Sequence, residues 1–252
     1  MKASRRSVWF VQIGFVLLLL AVWYWASSNE FVHPLLLPPL DSVASQFVEI
    51  VSQGKFWPDL RITVYEHLSA FTMATVAGLT AGFAVSFTRF SVRVFDPLLA
   101  GMYAIPAILL FPLFVLVFGI GPGSKIALGA TIAFFPIALN TIAAFSSVDR
   151  AYVRAARSMG ASSRQLFWQV MLPAGFPVVL NGLRIGMITS FLAILGTETI
   201  ASLGGLGHRI VALVENMETD RMFAFILIAL IVAFILNGFA TAVESWGRRN
   251  FT

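Results

Sequence analysis

Six stretches of this sequence are each long enough and apolar enough to cross a lipid bilayer as a helix. A span needs about 20 mostly apolar residues, because the hydrocarbon core is about 30 Å thick and a helix rises about 1.5 Å per residue. The candidate spans are residues 9–27, 62–88, 97–118, 125–146, 177–200 and 222–244. The pattern predicts an all-α, polytopic membrane protein with about six transmembrane helices, forming a single domain over residues 1–252.

The low charge content excludes a soluble domain of ordinary composition. Only 12% of the 252 residues are charged and 58% are hydrophobic, whereas a soluble domain carries about twice that charged share on its surface. The net charge of +5 could suggest nucleic acid, but the basic residues cluster between apolar runs, where membrane topology explains them better. The chain has no cysteine, and His33 and His208 are isolated in loops, so the sequence predicts neither a nucleic-acid partner nor a metal site.

The first apolar run has two interpretations. A basic cluster precedes it, as in a signal peptide, but the apolar core of a signal peptide is usually roughly 7–15 residues long. The run at residues 9–27 is longer, and its far end carries Trp23, Tyr24 and Trp25, which is typical of an interfacial aromatic belt. The sequence therefore favours a retained first transmembrane helix.

The basic residues divide unequally between the two sides that six spans would define. One side receives Lys2, Arg5, Arg6, Arg89, Arg93, Arg150, Arg154, Arg157, Arg164, Arg248 and Arg249. The other side receives Lys55, Arg61, Lys125, Arg209 and Arg221. Because lysine and arginine accumulate in cytoplasmic loops, the bias predicts that both termini and the loop at residues 147–176 are cytoplasmic.

The 147–176 loop has the pattern of two short amphipathic helices. In the first, one apolar face is formed by Tyr152, Ala155, Ala156 and Met159. A basic face is formed by Arg150, Arg154 and Arg157. Such helices suit either a groove on a partner protein or the surface of an anionic membrane, and amphipathicity alone does not decide between the two.

A glycine turn is expected between these helices. Gly160 is typical of the position just past a helix end, and Ser162 with Gln165 three residues later is the capping-box pattern of a new helix. The second helix should gather Leu166, Phe167, Val170 and Met171 on one face. It should end at Leu172-Pro173.

The spacing in this loop resembles the EAA loop of ABC importer permeases. That pattern is Glu-Ala-Ala, three residues, Gly, nine residues and Ile-x-Leu-Pro, and the matching positions here are Ala155-Ala156, Gly160 and Val170-Met171-Leu172-Pro173. One position departs, because Arg154 stands where the family has glutamate. The resemblance implies a coupling helix that sits in a cleft of a separate cytoplasmic ATPase subunit. The implied docking residues are Arg154, Ala155, Ala156, Gly160, Ala161, Leu172 and Pro173.

Other segments resemble the nitrate, sulfonate, taurine and bicarbonate branch of binding-protein-dependent permeases. They are residues 37–43, 105–114, 118–121, 181–184 and 205–207. The resemblance implies a type I ABC importer permease fold, a bacterial inner membrane location, a homodimer, an extracytoplasmic binding protein and ATP-driven alternating access. It also implies a small organic or inorganic anion as substrate, although some members of the branch import neutral vitamin precursors.

The chain itself lacks a phosphate-binding loop. Its nearest match, Gly121-Pro122-Gly123-Ser124-Lys125, does not have the spacing that cradles nucleotide phosphates. We therefore predict that the chain is not an enzyme, needs no cofactor and relies on a separate ATPase subunit. Two further functions remain open, an ATP-independent secondary transporter or channel and a membrane scaffold that binds partners through the loop.

Four residues inside spans are candidates for a translocation pathway or gate. Ionisable groups within spans are costly and therefore functional candidates, which singles out Glu198 and its neighbour Thr197. Pro106 and Pro112 should kink the third span, because each removes a backbone donor. The alternative for Glu198 is an interfacial carboxylate that accepts hydrogen bonds from neighbouring helix ends.

Small residues recur every fourth position on two of the spans, and they predict close helix packing. They are Ala70, Ala74, Gly78 and Gly82 on the second span, and Gly182, Gly186 and Ser190 on the fifth. Glu66 and His67, near the outer end of the second span, are predicted to form a structural pair.

Overall fold

The computed structural model describes residues 5–29 and 31–251, and all regular structure within them is helical. The α-helices are α1 Arg5–Ser28, α2 Leu40–Ser52, α3 Trp57–Ser86, α4 Arg89–Tyr103, α5 Phe111–Phe118, α6 Pro122–Ser146, α7 Arg150–Ser158, α8 Ser163–Leu166, α9 Leu172–Ile200, α10 Leu206–Glu215 and α11 Thr219–Phe251. A 3₁₀ segment, Ala107–Leu110, precedes α5. A π-helical segment, Phe167–Met171, joins α8 to α9.

A few predictions fall on parts that the structure does not describe. The N-terminal basic cluster is one, since Lys2 lies outside the described residues and so do the side chains of residues 5–9. The side chain of Arg150, assigned to the basic face of the loop, is outside them as well.

Five described helices are long and apolar enough to cross a membrane, and a bent pair supplies a sixth span. The five are Phe10–Ser28, Trp57–Ser86, Pro122–Ser146, Ser163–Ile200 and Thr219–Arg249. The bent pair combines α4 with Ala107–Phe118, and its two halves meet at 76°. The prediction of an all-α protein with about six spans is confirmed.

The third span differs from the expected continuous, kinked helix at residues 97–118. Helix α4 ends at Tyr103, and helical structure resumes only at Ala107, after Pro106. A proline within a helix lacks the amide hydrogen and its ring clashes with the preceding turn, so the break at Pro106 is expected. Pro112 lies in the first turn of α5, where no amide donor is needed. The predicted kink is therefore confirmed at Pro106 and wrong at Pro112.

The chain divides into two compact units, residues 1–58 with 209–229 and residues 59–208 with 230–252. In the first unit, polar contacts attach the start of α11 to α2. Arg221 Nε donates to Gln46 Oε1 at 3.0 Å, and Ser42 Oγ donates to Asp220 Oδ2 at 3.1 Å. These bonds fix the direction in which α11 begins.

In the second unit, α6 is the buried centre and lies against both α3 and α9. A Cβ atom added at Gly82 of α3 would lie 2.6 Å from Thr141 Cβ, and one added at Gly182 of α9 would lie 2.5 Å from Asn140 Cβ. Neither position has room for a side chain, so the helix backbones pack directly on α6. The predicted small-residue stripes on α3 and α9 are buried, which confirms the expected packing.

Candidate functional site

The expected glycine turn of the 147–176 segment is present at the end of α7. Gly160 N donates to Arg157 O and Ala161 N donates to Ala156 O, both at 3.0 Å. This pair of bonds is the Schellman motif, which closes a helix by placing a left-handed residue after it. Gly160 has a φ of +81°, a conformation that glycine adopts without the steric cost of a Cβ atom.

The helix that follows begins as predicted but does not end as predicted. Ser162 N donates to Gln165 Oε1 at 2.9 Å, and Gln165 N donates to Ser162 Oγ at 3.3 Å, which completes the capping box. The helix then continues through Pro173 to Ile200. Pro173 lies in the first turn of α9, directly after the π-helical segment. The wider π turn changes the bonding register there, so the missing amide hydrogen of the proline does not break the helix.

The π-helical segment also redistributes the residues of the expected apolar face. Leu166, Phe167 and Met171 line a cavity with the C-terminal end of α3, whereas Val170 lines a groove with α7. The single face predicted from ordinary α-helical spacing is therefore wrong, because a π turn places five residues where an α turn places about four.

An open groove of about 840 Å³ lies between α7 and the start of α9. Of the predicted docking residues, those lining it are Ala155, Ala156, Gly160, Ala161 and Pro173. The rim carries exposed side chains, with Met159 86% and Tyr152 64% exposed. Small residues and exposed larger residues together form a surface that a complementary protein could cover.

The two other predicted docking residues lie outside the groove. Leu172 packs on the buried cluster of Ala144, Phe145 and Val179, so it anchors the segment to the bundle. Arg154 is exposed, and its guanidinium makes no hydrogen bond or ion pair with a residue that the structure describes. The position that is glutamate in the resembled pattern thus presents an unneutralised positive charge.

A second cluster of functional candidates surrounds the turn at residues 201–207. The Glu198 side chain is only 1% exposed, and both of its carboxylate oxygens are used. Oε1 accepts a hydrogen bond from Thr63 Oγ1 at 2.7 Å, and Oε2 accepts one from Gly207 N at 2.8 Å. Thr63 Oγ1 in turn accepts from Leu206 N at 2.9 Å. Glu198 therefore caps the start of α10 and connects it to α3.

The two glycines of this turn are required by the closeness of Glu198. Gly205 has a φ of +107°, and an added Cβ atom would overlap the Glu198 carboxylate. At Gly207 an added Cβ atom would lie 2.5 Å from Leu195 O and 2.7 Å from Glu198 Cβ. The backbone wraps so tightly around the carboxylate that no side chain fits.

A buried lysine holds the other side of the same turn. Lys125 of α6 is 2% exposed, and its Nζ lies 2.5 Å from Glu66 Oε1 and 2.7 Å from Ser202 Oγ. Ser202 Oγ donates to Gly204 O at 2.6 Å. A buried ion pair of this kind is costly to form and more costly to break on one side only.

The predicted pair of Glu66 and His67 is wrong, because each residue has a different partner. Glu66 pairs with Lys125. His67 Nδ1 lies 2.8 Å from Ser190 Oγ, and its ring packs against Phe191 with centroids 5.5 Å apart. Successive helical positions point about 100° apart, which separates the two side chains.

The pathway candidates are not brought together by the structure. Thr197 is buried and its hydroxyl donates to Ile194 O of its own helix at 2.9 Å. Pro106 and Pro112 are exposed at the bent third span. The hydrogen bonds of Glu198 agree with the alternative interpretation, a carboxylate that accepts hydrogen bonds from neighbouring helix ends. The role of Glu198 in a translocation pathway stays a prediction.

Sequence reasoning missed the role of Lys125, because the charge bias accounts for it only as a basic residue of the less basic side. The available signal was its position at the start of the apolar run 125–146, where a lysine without a partner would be costly. Nothing in the sequence indicates that Glu66 is its partner, since the two residues lie far apart along the chain.

Comparison with protein families gives one match over most of the chain. The family model described as "Binding-protein-dependent transport system inner membrane component" matches residues 74–249. The chain is 32% identical to the taurine transport system permease protein TauC of Escherichia coli strain K12, over 93% of this chain and 90% of that protein. It is 30% identical to SsuC of the same strain, named an aliphatic sulfonates transport permease, over 98% of this chain and 92% of that protein.

Among solved structures, the chain is similar to a chain of the MetNI methionine ABC transporter in an inward-facing crystal structure. The TM-score is 0.64 at 18% identity, covering 76% of this chain and 95% of that chain. At this identity the similarity concerns the fold, which is that of a type I ABC importer permease.

Proposed function

This chain belongs to the inner membrane components of binding-protein-dependent transport systems, and we propose that it imports a small anion, of the sulfonate class, into the cytoplasm. The named substrates of its most similar relatives, taurine and aliphatic sulfonates, support that substrate class. A neutral vitamin precursor is the alternative within the same family.

The observation that carries the proposal is the groove beside the Gly160 turn. It combines small residues with exposed Tyr152 and Met159, and these residues have the spacing of an ATPase-coupling loop. The ATPase would contact Ala155, Ala156, Gly160 and Ala161. When the ATPase moves this segment, Leu172 would transmit the movement into the helix bundle. Arg154 would meet an acidic or polar group on the ATPase, because a lone arginine gains most from a carboxylate partner.

The proposed assembly contains two copies of this chain, two ATPase subunits and one extracytoplasmic binding protein. The excess of basic residues on one side supports cytoplasmic termini and a cytoplasmic groove. ATP on one side and loaded binding protein on the other would shift a balance between inward-facing and outward-facing states. ATP hydrolysis would take place on the separate subunit.

Glu198, with Thr197 behind it, is proposed to act at the outer gate by holding the 201–207 turn. Its hydrogen bonds to Thr63 and Gly207 N support that role. Pro106 and Pro112 are proposed to border the pathway, because the 76° bend between the two halves of their span would let one half move separately.

A crosslinking experiment tests the ATPase contact. The chain contains no cysteine, so a single introduced thiol reacts at one known place. Met159→Cys, at an 86% exposed groove position, should crosslink to the ATPase in intact membranes. Leu203→Cys, which is 84% exposed at the opposite turn, is the matched control and should give no ATPase adduct. Equal adducts at both positions, or none at Met159→Cys, would contradict the proposed docking site.

Uptake by the purified complex in liposomes tests the transport reaction. Labelled taurine should accumulate only with ATP and binding protein present, and Gly160→Val should abolish accumulation without unfolding the chain. Accumulation without ATP would instead identify a secondary transporter or channel. Uptake of a vitamin precursor but of no sulfonate would retain the importer and overturn the substrate class.

A further inference from the structure

A second cavity lies beside the 147–176 segment and has a different lining from the groove. It has a volume of about 490 Å³ and is enclosed by the end of α3, the start of α4, α7 and the π-helical segment. Pockets of about 300–1,000 Å³ are typical of sites that bind small ligands or parts of lipids. None of its lining residues takes part in the proposed ATPase contact.

One side of the cavity is an aromatic cluster built around Phe83. The Phe83 ring lies 4.7 Å from that of Phe87, 5.5 Å from that of Phe145 and 5.2 Å from that of Phe167, between centroids. Phe87 is 72% exposed, so the cluster opens at the surface rather than closing into the core. This side of the cavity suits an apolar substituent.

The other side of the cavity is basic. Arg89, the first residue of α4, and Arg157 of α7 both line it and both are exposed. Neither guanidinium forms a hydrogen bond or ion pair with any residue that the structure describes. Ser163 adds a hydroxyl group. Two unneutralised guanidinium groups facing one cavity favour a tetrahedral anion, which accepts several charge-assisted hydrogen bonds at once.

The position of the cavity determines what kind of anion can reach it. The apolar helix α3 ends at Ser86, and Phe87 and Arg89 follow directly, so we expect them at the boundary between apolar hydrocarbon and polar headgroups. A ligand entering there from the membrane would carry an apolar chain for the aromatic residues and an anionic head for the arginines. Arginines between helices at this depth are typical of anionic headgroup sites.

We propose that this cavity binds the phosphate of an anionic phospholipid, with Arg89 and Arg157 on the phosphate and the Phe83 cluster against its apolar part. The bound lipid joins α3 and α4 to α7, and so it stiffens the connection between the coupling turn and the bundle. The same chemistry could be supplied by a soluble phosphate ester with an apolar substituent. The proposal is independent of the transport function, since it concerns binding alone.

Native mass spectrometry of the purified full-length chain in detergent tests the proposal. Dioleoyl phosphatidylglycerol and dioleoyl phosphatidylcholine are titrated separately, and hexyl phosphate and inorganic phosphate represent the soluble source. Phosphatidylglycerol should remain bound, and the double substitution Arg89→Gln with Arg157→Gln should weaken its binding at least tenfold. The matched control, Arg93→Gln with Arg164→Gln, removes the same charge from exposed arginines outside the cavity and should bind as the wild type does.

A labelling experiment locates the bound molecule. Ser163→Cys provides a single thiol in the cavity, and phosphatidylglycerol should slow its reaction with a maleimide, whereas phosphatidylcholine should not. Cavity-dependent binding of hexyl phosphate instead of the lipid would support the site and identify a soluble source. Equal weakening in both double variants, or no binding of either ligand to the wild type, would overturn the proposal.

Discussion

The glycine turn before α8 and the glycine turn after α9 have similar backbone φ angles but different surroundings. Gly160 and Gly205 both have positive φ angles, +81° and +107°. An added Cβ atom at Gly160 would meet nothing within 4 Å, whereas one at Gly205 would overlap the buried carboxylate of Glu198. The first glycine is needed for conformation alone, and the second for conformation and space.

This difference is expected if the Gly160 turn contacts the proposed ATPase partner, whereas the Gly205 turn is packed within the protein. At residue 160 the space beside the backbone is left empty, and the neighbouring rim residue Met159 is exposed. At residue 205 the same space is filled by a side chain from the chain itself. The Gly160 turn thus leaves room for a contacting protein, whereas the Gly205 turn has no room for any added atom.

The largest expected effect comes from breaking the charge pair beneath the 201–207 turn. Lys125→Met leaves the Glu66 carboxylate buried without its partner and should destabilise the protein by about 3–5 kcal/mol. Lys125→Met combined with Glu66→Leu removes both charges and should recover most of that loss. Unfolding midpoints in detergent measure both changes. The exposed pair of Lys55 and Glu49 is the control, and Lys55→Met should cost less than about 1 kcal/mol.

The second-largest effect is expected at Gly205, where the Glu198 carboxylate fills the space beside the backbone. Gly205→Ala adds left-handed strain of about 1–2 kcal/mol and overpacking of about 1–3 kcal/mol, because the new methyl group overlaps the Glu198 carboxylate. The unfolding midpoint should fall accordingly. Adding Glu198→Ala to this variant makes space and should remove part of the overpacking cost. A Gly205→Ala protein as stable as the wild type would show that the turn relaxes freely.

The open turn should respond more weakly in stability and more strongly in function. Gly160→Ala adds only the left-handed strain, about 1–2 kcal/mol, and that strain is confined to an exposed turn. Its unfolding midpoint should fall less than that of Gly205→Ala, while ATP-driven uptake should fall. If Gly160→Ala and Gly205→Ala destabilised the protein equally, the proposed distinction between the two turns would be wrong.

The smallest expected effect concerns the capping box that follows the open turn. Ser162→Ala removes the side chain that accepts from Gln165 N and should cost about 1 kcal/mol, felt locally at the start of α8. Hydrogen exchange of the Gln165 amide should accelerate severalfold. Ser158→Ala is the control, because the Ser158 hydroxyl donates to Arg154 O and satisfies no free amide.

The features that follow from local sequence were predictable. The Schellman turn at Gly160 and the capping box at Ser162 each depend on a few neighbouring residues, so their spacing carries the information. The small-residue stripe of α3 was also predictable from the sequence, since helical periodicity places Gly78 and Gly82 on one face.

The features that depend on distant contacts or on changes of helical register were not predictable. Lys125 and Glu66 come together only because α3 and α6 pack side by side, and no spacing rule links them. The passage of the helix through Pro173 depends on a π turn, which ordinary α-helical periodicity does not anticipate.

The Lys125–Glu66 pair also has a consequence for the order in which the chain enters the membrane during synthesis. Glu66 emerges from the ribosome with α3, well before α6 delivers Lys125. An ionised side chain without a partner is costly in hydrocarbon, so α3 gains full stability there only after α6 has arrived. Stable membrane insertion of α3 is therefore expected to depend on α6. In a nascent chain truncated before α6, we expect α3 to insert less stably in the bilayer.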